Sequence, residues 1–489
     1  MRIKAKTIHG VVWSAIQNWG SQIGSLVVFI VLARLLEPEA FGLAALANVV
    51  LAFMQVFLEQ GFAQALIQRK EIEPEHLDAA FWTSLISGIL LTVAGFALAV
   101  PVANGFQQPQ LAPILQWLSV VFVIGSFSRV QQAILERKFA YKAIAIRSLL
   151  GTLAGGVTGV VMAYSGWGVW SLIGQQLVQE FVGTLVLWRA SDWRPRFRFS
   201  VRHFKELFNF GISILAFSFL GFLNNRADDF LIGIFLGSTA LGFYTVAYRI
   251  LTVMTQVLVN TTNQVALPAF SRLQEDPERF RRAFYTATQI TSAIAFPIFL
   301  GVVVLAPEIV ITCFGEQWLP SVPVMQVLSI VGILRSVTYF KGSIFMALGK
   351  PQWRLYFGLL SSGLNVVGFA IAVRWGIVAV AYAYLVRAFI LFPITQKAVS
   401  TLIDASLLQY LRQFIAPLAC SLAMSGIILL AKQWLGSSLN SPALLAFCIV
   451  PGAIAYVLAV RLFAPKLFHQ ILELAHLASA RTGSQKPLG

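Results

Sequence analysis

Charge is scarce in this chain. Of 489 residues only 11% are Asp, Glu, Lys or Arg, while 58% are hydrophobic and the mean hydropathy is +0.77. A soluble domain carries about 25% charged residues, so a water-soluble multidomain enzyme and a disordered chain are both excluded. Cysteine is rarer still. Cys313, Cys420 and Cys448 are the only three. They lie in or beside apolar runs without metal-ligand spacing, which excludes a zinc site and a disulfide framework. No GxxxxGK[ST] sequence occurs, so no phosphate loop for ATP hydrolysis is present. Acids are the scarcer sign: 20 Asp plus Glu against 36 Lys plus Arg, a net charge of +16. In a chain this apolar, the excess reads as cationic cytoplasmic loops rather than nucleic-acid binding.

Long apolar runs are what the sequence has instead. A hydrocarbon core about 30 Å thick takes about 20 apolar residues as a helix. Fourteen such runs are found: 10–32, 41–58, 79–102, 111–135, 143–164, 168–188, 207–236, 241–267, 283–305, 322–348, 355–373, 376–394, 414–430 and 444–460. The first follows Arg2, Lys4 and Lys6, is too long for a signal-peptide core and has no small-residue cleavage site after it. It is expected to be a retained anchor. With the N-terminus inside, the inner segments hold 26 Lys/Arg and the outer ones 3, namely Arg34, Arg374 and Lys432. That asymmetry predicts an even number of spans with both termini cytoplasmic.

The inner segment richest in basic residues is 189–206, with Arg194, Arg196, Arg198, Arg202 and Lys205. It reads as a topology determinant between two halves, with a patch for anionic lipid as the alternative. The tail 465–480 puts Leu467, Phe468, Ile471, Leu472 and Ala475 on one helical face, as suits a helix along the inner surface. Residues 482–489 are expected to be disordered. His9, His76, His203, His469 and His476 fall in or near inner segments and read as solvated loop histidines.

The chain repeats itself. Residues 36–51 match 236–251 at an offset of 200: Leu36/Leu236, Ala40/Ala240, Gly42/Gly242, Ala47/Ala247 and Leu51/Leu251. Farther on the offset is 203, and Pro74, Glu75, Ala80, Phe81 and Thr83 match Pro277, Glu278, Ala283, Phe284 and Thr286. Six spans separate the copies, so both point the same way: a parallel repeat about an axis along the membrane normal. The expected fold is an all-α integral membrane protein of about 14 transmembrane helices, in two pseudo-symmetric lobes around a central cavity. The expected divisions are an N-terminal lobe 1–188, a basic linker 189–206, a C-terminal lobe 207–397, two further spans in 398–464, and an amphipathic tail 465–489.

An ionisable group near the bilayer centre costs several kcal/mol unless paired or wet. The spans carry Arg129, Arg147, Arg226, Arg249, Arg335, Lys341 and Arg387 against Glu180, Asp228 and Asp229. Arg129, Arg147 and Lys341 lie near inner ends, where long side chains can snorkel. Arg226, Arg335, Arg387 and Glu180 lie nearer mid-span and require a cavity or an interhelical partner. Asp229, three residues after Arg226, is placed to pair with it. Asp228 points about 100° away from Asp229. A structural lock and a substrate site are both open readings of this cluster. Surplus guanidinium groups in a wet cavity suit an anionic substrate, because Arg makes bidentate contacts with phosphate. Tyr244, Tyr248, Trp167, Trp170 and Trp318, near outer ends, read first as interfacial belt residues and second as sugar-stacking groups.

Several stretches together carry a resemblance: ARLLEPEAFG (33–42), GFAQALIQRK (61–70), AILERKFAYKAIA (133–145), SGWGVWSLIGQQL (165–177), DDFLIGIFLGSTALGFYTVAYRI (228–250), ALPAFSRLQEDPERF (266–280) and FGEQWLP (314–320). The sequence resembles the polysaccharide transport branch of the multidrug/oligosaccharidyl-lipid/polysaccharide flippase superfamily, on the side of its Wzx-type, colanic-acid-exporter-like members. The likeness runs through roughly the first 350 residues. It implies a fourteen-helix, two-lobed inner-membrane fold that flips polyprenyl-diphosphate-linked oligosaccharide for surface polysaccharide export by alternating access. It also implies polysaccharide polymerase and export machinery as partners. The family's Asp before the LIG sequence falls on Asp228. Relatives couple to ion gradients, which makes Asp228, Asp229 or Glu180 candidates to carry a proton or sodium ion; pairing with Arg is the competing role. No other cofactor, no metal, no nucleic acid and no oligomer beyond a monomer is expected. The candidate cationic residues Arg226, Arg249, Arg335, Arg387, Arg129 and Lys341 are inferred from burial. Competing functions are a drug exporter of the same superfamily, a membrane polysaccharide polymerase or ligase, and a scaffold. A drug exporter suits a less cationic cavity with one deep acid. An enzyme predicts a long outer loop with catalytic groups, which the sequence lacks.

Overall fold

The computed structural model describes residues 2–58, 66–67, 72–198, 200–435, 439–470 and 472–473. Within these, side chains are described outside 2–18, 201–217 and 257–268. The described residues form helices and no strand. Fifteen α-helices follow one another: α1 Arg2–Leu35, α2 Pro38–Leu58, α3 Pro74–Gly105, α4 Leu111–Ser126, α5 Arg129–Arg137, α6 Tyr141–Tyr164, α7 Trp170–Ala190, α8 Val201–Arg272, α9 Pro277–Cys313, α10 Val322–Val337, α11 Lys341–Ala347, α12 Pro351–Ala372, α13 Ile377–Ile403, α14 Leu407–Leu435 and α15 Ser441–Phe463. Among the described residues, ten helical stretches are long and apolar enough to cross a membrane, eleven when the bent pair α4 and α5 counts as one span. The chain is a multi-pass helical membrane protein. The run expected at 168–188 folds as α7 but is not among the ten, because Gln175, Gln176, Gln179 and Glu180 make it too polar.

Helix starts follow from local chemistry. Proline opens α2, α3, α9 and α12, where its missing N–H costs nothing. Asp276 caps α9 by accepting from Arg279 N at 3.1 Å, and Asn440 caps α15 by accepting from Ala443 N at 3.2 Å. Long α8 is one helix by hydrogen bonding but turns at Gly237, whose φ of 83° favours glycine. Two runs that read as continuous are broken. The run 111–135 becomes α4 and α5, bent by 41°, and 322–348 becomes α10 and α11. Helices α4 and α10 each have 16 residues. Hydroxyls take up backbone carbonyls beside both breaks: Ser126 on Val123 O and Ser128 on Gly125 O in one, Ser336 on Ile333 O and Thr338 on Leu334 O in the other.

By packing, the chain divides into two compact units: Met1–Val246 with Asn365–Ile377, and Ala247–Leu364 with Val378–Gly489. The cut falls inside α8, which the start of α2 grips closely. A Cβ on Gly42 would lie 1.7 Å from Ser238 O, and one on Gly242 would lie 2.0 Å from Pro38 O. Gly42/Gly242 and Pro38/Ser238 are both repeat pairs at the offset of 200. The contact is therefore reciprocal, each copy's glycine receiving the other's helix start. Within the first unit α6 packs along α1 and α7. In the second, α9 packs against α10 and α14, and α14 against α15. Leu467 is buried with Ala293, Cys420 and Val460, so the tail's first turn belongs to this core. Ile471 and residues 474–489, including the expected disordered end, lie outside the described residues.

The repeat also recurs at the starts of α3 and α9. Position 78 and position 281 correspond at offset 203, as do 82 and 285. In the first copy Asp78 Oδ1 accepts from Arg196 N at 3.0 Å, and Trp82 Nε1–H donates to Arg196 O at 2.8 Å. In the second, Arg281 donates to Asp404 O and Oδ2, both at 3.2 Å, and Tyr285 Oη–H to Ser406 O at 3.4 Å. Each copy thus ties its third helix to the chain leaving its sixth, with different residues at the same positions. Arg194 in that linker donates to the carbonyls of Trp188, Ser191 and Trp193 and lies 5.3 Å from the Trp188 ring centre. Its guanidinium closes the C-terminal end of α7, a use neither sequence reading of 189–206 foresaw. His76 corrects the solvated-loop reading: it is buried, and its Nδ1 accepts from Glu73 N at 3.2 Å to cap α3.

The reciprocal glycine contact predicts that Gly42→Ala and Gly242→Ala each cost about 1–3 kcal/mol and lower the melting temperature of the purified protein. Gly105→Ala, where a Cβ meets nothing within 4 Å, is expected to leave it unchanged.

Candidate functional site

Charged side chains of the spans fall into groups of differing chemistry. In the first unit, Arg226 Nη1 donates to Asp229 Oδ2 at 3.0 Å, the i,i+3 pair that helical spacing predicts. Asp228 points elsewhere and accepts from Tyr244 Oη–H at 2.8 Å. The two carboxylates are 4% and 8% exposed, while Arg226 is exposed. Beside them Asn365 Nδ2 donates to Asn224 O at 3.3 Å and Oδ1 at 3.1 Å. Two adjacent buried carboxylates thus share one arginine and one phenol.

A second group in the same unit is neutralised. Arg147 Nη2 meets Glu180 Oε1 at 3.4 Å, and Arg147 Nη1 donates to Gln132 Oε1 at 2.9 Å. Gln132 Nε2 in turn donates to Glu136 Oε1 at 2.8 Å. Helix α7 makes room for the guanidinium at Gly183, where a Cβ would lie 3.2 Å from Arg147 Nε. Arg129 opens α5 at the helix break, and Arg249 lies half-buried on the α8 segment of the second unit.

The second unit gathers cations. Arg335 ends α10, Lys341 begins α11, and Arg387 projects from α13. Tyr384, one turn before Arg387, lies among them. Its ring centre is 4.3 Å from the Arg387 guanidinium carbon and 5.1 Å from that of Arg335. Arg335 Nη2 donates to Tyr384 Oη, and Arg387 Nη1 donates to Ser361 Oγ at 2.6 Å. Lys341 lies within electrostatic reach of both guanidinium groups. Residues 317–403, which supply all of these helices, contain no Asp or Glu. The elements that carry this positive charge therefore cannot neutralise it. By contrast Lys432 is held by Glu308 at 2.8 Å and donates to Val304 O at 3.0 Å, which ties α14 to α9.

Of the residues singled out in the sequence, the structure joins Arg335, Lys341 and Arg387 in one cluster. It joins Arg226 with Asp229, and Glu180 with Arg147. Sequence reasoning missed Tyr384 and Ser361. The spacing of Tyr384 and Arg387, three residues apart on one helix, was the available signal. It also misjudged two aromatics. Tyr244 and Trp318 are 0% exposed, so neither is a belt residue or a sugar platform. Trp167 is exposed and Trp170 half-buried. Elsewhere in the second unit a cavity of about 420 Å³ is lined by Pro297, Gly301, Met424, Ile428 and Tyr456 among others. Its almost wholly apolar wall suits hydrocarbon and offers nothing to a phosphate.

Among the described residues, a stack of apolar helices that keeps cations and carboxylates inside its spans defines a multi-pass membrane protein. The chain belongs to the family described as polysaccharide biosynthesis protein, whose profile matches residues 31–323. It is 31% identical to the lipopolysaccharide biosynthesis protein WzxC of Escherichia coli (strain K12) over 373 residues, 76% of each chain. With the teichuronic acid biosynthesis protein TuaB of Bacillus subtilis (strain 168) it shares 27% identity over 97% of this chain and 99% of that one. The fold matches that of the lipid II flippase MurJ in an inward closed conformation, with a TM-score of 0.75 over 94% of this chain and 99% of that chain, at 14% identity.

The Arg147–Glu180 pair predicts a strong dependence of stability on both partners. Glu180→Ala, which leaves Arg147 without its carboxylate, is expected to cost about 2 kcal/mol. Replacing both by Met is expected to recover most of that loss, as read in thermal unfolding of the two variants.

Proposed function

We propose that this chain is a flippase, not an enzyme, and that it carries a polyprenyl-diphosphate-linked oligosaccharide across the bacterial inner membrane for surface polysaccharide export. The observation that carries the reading is the meeting of Arg335, Lys341 and Arg387 on helices without a carboxylate. A phosphate entering hydrocarbon alone is prohibitive, at roughly 20 kcal/mol per ion by an idealised Born estimate. Guanidinium groups inside the protein remove most of that cost, and their planar forks fit phosphate oxygens bidentately. A lipid-linked diphosphate carries one negative charge on each phosphate, which suits a cluster with more than one cation. Family membership and the likeness to WzxC and TuaB, named for lipopolysaccharide and teichuronic acid biosynthesis, support the same substrate class. The reading includes fourteen spans with both termini inside, the turn at Gly237 dividing α8 into two of them. The cluster is exposed in turn to each side of the membrane, while the polyprenyl tail stays in lipid.

Asp228 and Asp229, with their shared Arg226, are the proposed seat of coupling to a proton or sodium ion. The Arg147–Glu180 pair is assigned a structural role, since Glu180 already has its cation. A drug exporter of the same superfamily is the weaker reading: its cationic substrates would be repelled by the cluster. Polysaccharide polymerase and export machinery are proposed partners in the same pathway.

Arg335→Ala and Arg387→Ala are each expected to abolish export of one cell-surface glycan at unchanged protein level. Arg→Lys at either position is expected to do partial damage, since bidentate contacts are lost. Loss of the whole protein should leave lipid-linked oligosaccharide accumulating on the inner leaflet. Full export from both alanine variants contradicts the reading.

A further inference from the structure

Two guanidinium groups and an ammonium do not stay together in a low-dielectric protein without help. Like charges repel, and repulsion drives long side chains apart into whatever other rotamers are open. In the second unit the element held by both arginines is one side chain. Tyr384 is buried at 2% exposure. Arg387 stacks at 4.3 Å from its ring centre, and Arg335 lies at 5.1 Å and donates to its hydroxyl. The negative face of an aromatic ring attracts a cation, the more strongly when the pair is desolvated. One ring can therefore hold two like charges near each other at a defined separation. Ser361 fixes Arg387 from another side, through the 2.6 Å bond to Nη1.

The repeat supplies a second line. Trp167-Gly168 and Trp375-Gly376 stand at an offset of 208, each just before a helix start, with glycine φ of 54° and 94°. The same offset pairs Leu177-Val178 with Leu385-Val386. In this register Tyr384 corresponds to Gln176 and Arg387 to Gln179. The first copy has no ring and no cation at these positions, and its nearby arginine, Arg147, is paired with Glu180. The tyrosine and the arginine thus occur together in the stretch 317–403, which contains no Asp or Glu, and are both absent from the corresponding stretch of the first copy, where Arg147 pairs with Glu180. A tyrosine that only filled core volume would carry no such association.

We propose that Tyr384 is a positioning residue that sets the spacing of the Arg335 and Arg387 guanidinium groups, so that the pair fits the two phosphates of a diphosphate in preference to a single phosphate. The inference rests on the cluster being the diphosphate site and adds where its selectivity comes from. Tyr384 touches the arginines and not the cargo. Its ring does most of the holding, and its hydroxyl orients Arg335.

The test is binding of geranylgeranyl diphosphate and geranylgeranyl monophosphate to the full-length protein in lipid nanodiscs, for wild type, Tyr384→Phe and Tyr384→Leu. Wild type is expected to prefer the diphosphate by about tenfold. Tyr384→Phe keeps the ring and is expected to retain most of that preference. Tyr384→Leu is expected to bring it below about threefold, through weaker diphosphate binding with the monophosphate little changed. Thermal unfolding of each variant separates a packing defect from loss of spacing, and Tyr384→Met repeats the arm if the leucine variant does not fold. A folded Tyr384→Leu or Tyr384→Met protein with the full wild-type preference overturns the role of Tyr384 and leaves the diphosphate site standing. A wild type that binds both lipids equally overturns the diphosphate reading, and this inference with it.

Discussion

A charge inside hydrocarbon must be answered by something, and much of this protein is organised by how each charge is answered. Glu180 answers Arg147, Asp229 answers Arg226, and Glu308 answers Lys432. Arg194 is spent on the carbonyls that end α7. Against this background Arg335, Lys341 and Arg387 differ in kind. They sit on helices with no carboxylate, gathered by an aromatic ring and a serine hydroxyl. This arrangement is the one on which the proposed diphosphate site rests.

The internal repeat shows how such an arrangement arises on a shared scaffold. Both copies keep the same devices: a broken fourth helix eased by hydroxyls, an inner tie between the third helix and the chain leaving the sixth, and a glycine at the outer crossing. The devices persist while the residues that make them change. Asp78 accepts from a backbone N–H where Arg281 donates to a backbone carbonyl. The charge content of the copies has diverged further. One keeps an ion pair beside its broken helix, and in the other the helices from 322 to 403 around the break carry no Asp or Glu.

Much of this was legible in the sequence, and the rest was hidden for physical reasons. Hydropathy reveals long apolar helices because burial in lipid leaves no alternative to them. Repeat identities marked Gly42 and Gly242, which the structure brings into reciprocal contact, and i,i+3 spacing showed the Arg226–Asp229 pair. The helix breaks were not visible, since Ser126, Ser128, Ser336 and Thr338 satisfy the backbone without lowering hydropathy much. Tyr244 and Trp318 looked interfacial because aromatic residues at helix ends often are; tertiary packing buries both. The cluster was half legible. Its cations stood out as charges in apolar runs, but no spacing rule brings α10, α11 and α13 together, and Tyr384 reads as one aromatic among many. The packing boundary inside α8 was also out of reach, because Gly42 and Gly242 meet across the repeat and not along the chain.

The central claim is that the Arg335, Arg387 and Lys341 cluster carries the diphosphate across. Its most direct measurement is the flipping rate of a fluorescent polyprenyl-diphosphate-linked sugar in proteoliposomes, for wild type against the Arg335→Gln/Arg387→Gln double variant. Glutamine keeps polarity and much of the volume but removes the charge. The account predicts at least a tenfold slower rate in the double variant, about 1.4 kcal/mol or more in transition-state terms, at equal amounts of folded protein. A double variant that flips the lipid at the wild-type rate contradicts it.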